Sequence, residues 1–179
     1  MSAALQFFTQ GLWHPLVMPA HLMLLLALAL LTGQQGVGRL AYSWLGLVAG
    51  LMAGIAFTLL SPLRWDLEAT QLVVSMLIGL WVVLRWPMPL ALLVLVALLV
   101  GLGIGLDSAA PRIPGLRGIK VYALQMGTVL SCALLSLVGS GLAATVRGRL
   151  GGIPLRVLGA WISAGSMLVL TLYLTKALS

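Results

Sequence analysis

Two histidines near the N-terminus are the side chains whose type and spacing best suit chemistry. His14 and His21 lie in the stretch GLWHPLVMPAH and are the only two in the chain. Imidazole is both a common metal ligand and a hydrogen-bonding group. In one regular helix, a spacing of seven residues separates the two by about 10 Å of rise, which is too far for both to bind one ion easily. If Pro15 begins the helix instead, His14 precedes the helix and can fold back toward His21.

The residues alone leave two interpretations of these histidines open. Hydrogen bonds across helices are a common role for histidine in membrane proteins, and we favour this role for both. A metal site is the alternative. Met18 and Met23 lie near His21 and extend that alternative to Cu(I), because thioether and imidazole groups both bind this ion. Methionine is also a common packing residue, so the two methionines add little weight.

Other reactive constellations are missing from the sequence. We find no paired carboxylates on a predicted helix face, no Ser-His-Asp set, no phosphate-binding loop and no CxxC motif. We therefore expect a protein that is not an enzyme. The single cysteine, Cys132, allows no intramolecular disulfide and lies in an apolar stretch, where we expect it to pack as a buried side chain.

The composition places these residues in a membrane protein. The chain has 179 residues, of which 61% are hydrophobic and 7% are charged, whereas soluble domains average about 25% charged residues. The ten Lys and Arg residues are scattered between apolar stretches, which is typical of anchors to lipid headgroups rather than of a nucleic-acid interface. We expect the lipid bilayer as the main partner, in a bacterial inner membrane or another energy-transducing membrane, and no nucleic acid.

Six apolar segments are long enough to be membrane helices, since a spanning helix needs about 20 mostly apolar residues. We predict an all-α polytopic protein with a single domain over residues 1–179, in which a short interfacial segment over residues 3–13 precedes the helices. The predicted helices cover residues 15–32, 40–60, 70–86, 90–106, 121–146 and 154–175.

Glycines on two of these helices predict how the bundle packs. Gly46, Gly50 and Gly54 are spaced by four residues, which gives a small-residue stripe for close helix contact. Gly101, Gly103 and Gly105 weaken the end of the fourth predicted helix. Close packing is the interpretation that we favour for both sets. The alternative for the second set is a bent or unwound helix that lines a substrate site.

The opening segment resembles that of the HupE/UreJ family of membrane proteins. The resemblance rests on GLWHPLVMPAHLMLLLALALLTG, where His14, Pro15 and His21 match the family's His-Pro and Asp-His pairs. It extends to LVAGLMAG in the second helix and to EATQLVVSMLIGL at the third, and to the six-helix outline. The resemblance implies a link to hydrogenase or urease gene clusters and to uptake of nickel or cobalt.

Several metal-ligand positions of the family are substituted here. Ala20 stands where the family has aspartate. In LVGLGIGLD, Val100 and Ile104 replace two histidines, whereas Asp107 replaces a glutamate. By this comparison, the remaining candidate ligands are His14, His21 and Asp107, with Glu68 as a further one. The residues themselves define no cofactor, and nickel or cobalt enters by resemblance only.

Two functions follow as hypotheses. The first is a permease-like protein for a divalent metal or another small solute, with a degenerate metal site. The second is a non-transporting accessory or scaffold subunit of a larger membrane complex, which would have other membrane subunits as partners.

Charge gives weak guidance on orientation. Five basic residues lie in the loops on each side of the predicted bundle, which is a tie under the positive-inside rule. The N-terminal tail has no Lys or Arg, whereas the loop around Arg147, Arg149 and Arg156 is densely basic. We therefore predict that both termini lie outside the cytoplasm.

Overall fold

Seven α-helices account for most of the chain in a computed structural model, which describes residues 3–61, 65–109 and 118–178. No strand occurs within these ranges, so the predicted all-α class is confirmed. Short 3-10 turns precede α3 and α7. The helices are α1 (Ala3–Val17), α2 (Pro19–Gln35), α3 (Leu40–Leu60), α4 (Glu68–Leu84), α5 (Leu90–Asp107), α6 (Ile119–Val146) and α7 (Ile153–Leu178).

The first predicted helix is broken, which corrects the range 15–32. Helices α1 and α2 meet at Met18 with a bend of 73°. Met18 has extended backbone angles, φ −88° and ψ 108°, as expected for a residue that precedes a proline. Pro19 then begins α2, whereas Pro15 lies inside α1. The predicted interfacial segment 3–13 is part of α1, which continues to Val17.

Several helices are long and apolar enough to cross a membrane. Four pass by length and composition, and a fifth is added if the bent pair of α1 and α2 forms one span. Helix α4 is apolar but has only 17 residues. The chain is therefore a polytopic membrane protein with four to five helices of spanning length, compared with the six predicted. The difference lies at α4 and at the bent pair.

Helices α3 and α5 pack closely and run parallel. Gly46 faces Val94, Gly50 faces Leu98, and Gly54 faces Leu102, so contacts advance in the same direction along both helices. Gly101 and Gly105 face Leu47 and Leu51 in return. Helix α5 continues unbroken through these glycines to Asp107. The packing interpretation is therefore correct for Gly46, Gly50 and Gly54 and for Gly101 and Gly105, whereas Gly103 faces open space. The helix break lies at Met18 instead.

Helix α2 occupies the centre of the bundle. It packs against α4 and α6, and to a smaller extent against α1, α5 and α7. Most of its side chains are buried, including Leu24, Leu28 and Leu31. Because α2 is surrounded, a polar residue near its start must find its partners inside the protein rather than in water.

The charged residues separate to the two ends of the bundle. Arg39 bonds the carbonyl of Met88, Arg85 bonds that of Gly151, and Arg156 bonds that of Val83. At the opposite end, Tyr173 donates a hydrogen bond of 2.9 Å to Asp66. We call the first end the arginine end and the second the acidic end. The acidic end contains Asp66, Glu68 and Asp107, which are the only acidic residues of the chain.

Candidate metal-binding site

His21 lies in the first turn of α2 and is fully buried, with 0% of its surface exposed. Its Nε2 atom is 3.0 Å from Oδ2 of Asp107, the last residue of α5. The contact joins the beginning of the central helix to the end of a neighbouring helix. The favoured interpretation of His21, a hydrogen bond across helices, is therefore present in the structure.

The break at Met18 brings His14 beside His21. The two ring centroids are 5.4 Å apart, with an edge-to-face angle of 69° between the ring planes. A straight helix would have separated the two residues by about 10 Å along its axis. The predicted approach of the histidines therefore occurs, but its cause differs from the prediction. His14 belongs to α1, and Pro19 rather than Pro15 begins the following helix.

Each histidine keeps one buried ring nitrogen without a hydrogen-bond partner among the described residues. These atoms are Nε2 of His14 and Nδ1 of His21. Because the carboxylate of Asp107 accepts a hydrogen bond, the neutral His21 ring carries its proton on Nε2 and leaves a lone pair on Nδ1. A buried nitrogen of this kind is costly unless a donor, a water molecule or a metal ion meets it.

Asp107 is held by three groups besides its own helix. In addition to His21, the backbone N–H of Leu67 lies 3.3 Å from Oδ1, and Nε2 of Gln71 lies 3.4 Å from Oδ2. Gln71 also donates to the carbonyl of Gly103 at 3.3 Å. Sequence reasoning did not identify Gln71. The signal available was an amide in the first turn of an apolar helix, where polar side chains are uncommon.

Glu68 does not join this cluster. It lines a separate surface cavity together with Tyr173 and Lys176. Met23 also points elsewhere, since it lines a cavity with Leu158 and Trp161 of α7. Within the described ranges, no three His, Cys, Asp or Glu side chains are arranged to hold a metal ion.

The three substituted positions are apolar and buried. Ala20 is 1% exposed, Val100 is 3% exposed and Ile104 is 0% exposed. Val100 and Gln71 also line an apolar cavity of about 180 Å³ between α2, α4 and α5. The cluster of His14, His21, Gln71 and Asp107 is therefore bordered by apolar side chains. None of the three substituted positions adds a charge to it.

Comparison with known proteins gives one family. The family model described as "HupE / UreJ protein" matches residues 2–169. No curated protein and no solved structure matches the chain. The matched range includes both histidines, Asp107 and the whole of α2 to α6.

Proposed function

Because this chain belongs to the HupE/UreJ family of membrane proteins, we propose that it is permease-like and moves a metal cation or another small solute past the histidine pair. The family implies a membrane accessory or permease-like role connected with nickel or cobalt. Transport by this member is our proposal. We place it in a bacterial inner membrane or another energy-transducing membrane, and we propose no enzymatic activity.

The single observation that carries the proposal is the pair of unpartnered nitrogens at a helix break. Broken helices in transporters place substrate sites inside the bilayer, because the irregular backbone lines a cavity instead of facing lipid. Here the break at Met18 positions His14 and His21 side by side. Asp107 adds one negative charge beside His21, which lowers the cost of a cation in an apolar surrounding.

Uptake in cells tests the proposal. The full chain is expressed in cells that lack their own high-affinity nickel and cobalt uptake, and cell-associated metals are measured by elemental analysis across a panel of ions. We expect one ion to accumulate above the empty-vector level. His14→Ala and His21→Ala should each abolish that gain. Met23→Leu, which alters a side chain facing α7, should retain it.

Membrane levels of each variant must be compared, because His21 is buried and its loss also removes a hydrogen bond. Uptake that is unchanged in a well-expressed His14→Ala protein would contradict a role for the pair. Failure of every ion and solute in the panel to accumulate would contradict transport itself.

An accessory role is the second candidate, and the exposed surface of α7 favours it. Only 17% of the most apolar stretch of Arg149–Lys176 is buried, and Trp161 and Leu168 are 73% and 62% exposed. Such a face suits lipid or the helix of another membrane subunit. Stoichiometric copurification with another membrane protein, together with no metal uptake, would support this role over transport.

A further inference from the structure

We propose that the ion suited to the histidine pair is a monovalent d10 metal ion, Cu(I) or its analogue Ag(I), bound by Nε2 of His14 and Nδ1 of His21. This inference rests on the proposed function, because it names the cargo class of the same site. It departs from the nickel and cobalt that the family implies.

The number of available donors carries the first step. All the His, Cys, Asp and Glu residues of the chain lie within the described ranges, because the residues outside those ranges include none of these types. Among them, no group of three could hold a metal ion. Nickel, cobalt and zinc sites use four or more ligands. Monovalent d10 ions accept two nitrogen donors in a near-linear arrangement, so two imidazoles can satisfy one of them.

The orientation of His21 carries the second step. Asp107 accepts the Nε2–H of His21 at 3.0 Å, so this carboxylate already has a partner. It acts on a metal through the ring rather than as a direct ligand, and it aims Nδ1 away from α5. Carboxylates of this kind fix the tautomer and raise the basicity of a metal-binding histidine. Asp107 is thus a positioning residue.

Charge carries the third step. Two neutral imidazoles and one outer carboxylate balance a single positive charge. A divalent ion would leave one charge uncompensated among apolar side chains, which is costly in a low-dielectric interior. Ala20 is next to His21 in the sequence, and Val100 and Ile104 are on α5 shortly before Asp107. All three are buried and apolar, so none of them can supply the second negative charge or a further metal ligand.

Metal titration of the purified full chain in detergent tests the inference. Cu(I), kept reduced and buffered by a chromophoric chelator, is compared with Ag(I), Ni(II) and Co(II). We expect one Cu(I) or Ag(I) per chain. Ni(II) and Co(II) should not compete at concentrations equal to those that saturate the chain with Cu(I). X-ray absorption of the copper complex should show two nitrogen neighbours and no sulfur.

Variants separate this site from other ligands. Nε2 of His14 has no hydrogen-bond partner among the described residues, so replacing the ring removes no hydrogen bond at that atom. His14→Gln should therefore abolish stoichiometric binding while leaving the helical circular dichroism unchanged. Asp107→Asn keeps the size of the side chain but removes its charge, and should weaken Cu(I) binding by about 10- to 100-fold. Cys132→Ala is the control, because its thiol is the other strong Cu(I) ligand, and it should bind as the unmodified chain does.

The outcomes distinguish the two proposals. Cu(I) binding that persists in His14→Gln, or that disappears in Cys132→Ala, would overturn the inference. Preferential binding of Ni(II) or Co(II) through both histidines would also overturn it but would leave the proposed function in place. Uptake that fails for every ion and solute would overturn the proposed function, whichever ion the purified chain binds.

Discussion

A buried imidazole needs a partner on each ring nitrogen, and His21 has one on Nε2 only, among the described residues. Two pairs of buried hydroxyl groups, by comparison, have partners. The hydroxyl oxygens of Ser75 and Ser166 are 2.6 Å apart, and those of Thr32 and Ser43 are 2.8 Å apart. Such pairs hold helices together where no water is available. The two histidines therefore differ from these hydroxyl pairs, and they share an unpartnered buried atom with Gln34, Gln71 and Gln125, whose side-chain oxygens also lack a partner among the described residues.

The Ser75–Ser166 pair allows a test of this contrast. Both residues are 0% exposed, so either alanine substitution leaves a hydroxyl without its interhelical partner. We expect Ser75→Ala and Ser166→Ala each to lower the free energy of unfolding in detergent or bicelles by about 0.6–1.7 kcal/mol. The double variant should cost less than the sum of the two. The measurement is unfolding by a denaturing detergent, followed by circular dichroism.

Thr171→Ala is the matched control on the same helix, because the Thr171 hydroxyl bonds the carbonyl of Met167 within α7 and is exposed. It should change the unfolding free energy little. Additive effects of the two serine substitutions would show that the hydroxyls do not stabilise each other.

At the residue scale, the sequence predicted three side chains that the structure brings together, whereas their role as metal ligands stays a prediction. His14, His21 and Asp107 are close neighbours, as their common assignment to one site required. Glu68 is elsewhere, and Gln71 was missed. The reason is that helix register, not sequence distance, decides which side chains meet. Asp107 and His21 are 86 residues apart in the chain.

At the scale of the elements, proline and glycine determine where helices break and where they touch. Pro19 supplies no backbone N–H and restricts Met18, so the chain bends there. The glycines of α3 and α5 have the opposite effect, because they allow two unbroken helices to approach. The sequence contained both signals. The prediction considered only Pro15 as a helix start. Pro15 instead lies inside α1, which packs along α6 where Gly11 meets Gly127.

Gly101 and Gly103 on α5 provide a matched test of the α3–α5 contact. A methyl group at Gly101 would collide with the backbone carbonyl of Leu47, whereas one at Gly103 would meet no atom within 4 Å. We expect Gly101→Ala to lower the melting temperature in detergent and to cost about 1–3 kcal/mol of stability, since neither backbone can move easily. Fluorescence-detected size exclusion after heating measures the change.

Gly103→Ala should be neutral or stabilising by up to about 1 kcal/mol, because alanine favours a helix more than glycine does. Equal destabilisation by both substitutions would indicate that α5 needs flexible glycines. It would then contradict the close-packing explanation and restore the alternative of a helix that bends.

At the scale of the whole molecule, five arginines and the three acidic residues lie at opposite ends of the bundle. Arg39, Arg85, Arg147, Arg149 and Arg156 belong to the loops and helix starts of one end, and all three acidic residues lie at the other. The five basic residues counted on the other side are Arg64, Arg112, Arg117, Lys120 and Lys176, of which the first three lie outside the described residues. The number of basic residues is the same, five, on each side of the bundle. The orientation of the protein in the membrane is therefore a prediction.

We predict that the arginine end faces the cytoplasm and that both termini lie on the opposite side. The positive-inside rule weights basic residues close to helix ends, and Arg147 and Arg149 are the most closely spaced pair of basic residues in the chain. Gly148 is exposed at this end, and a Cβ atom added to it would have no other atom within 4 Å, so a cysteine fits there. Trp65, at the acidic end, is 42% exposed. These two positions can therefore report on the two sides of the membrane.

Single cysteines at these positions measure the orientation in the intact chain. In a Cys132→Ala background, Trp65→Cys should react with a membrane-impermeant maleimide in whole cells, whereas Gly148→Cys should react only after the membrane is opened. Labelling of Gly148→Cys in whole cells, with no labelling of Trp65→Cys, would show that the protein has the opposite orientation. The histidine break lies nearer to the acidic end, because His21 contacts the last residue of α5 there. The predicted orientation therefore places the site toward the side from which an imported ion arrives.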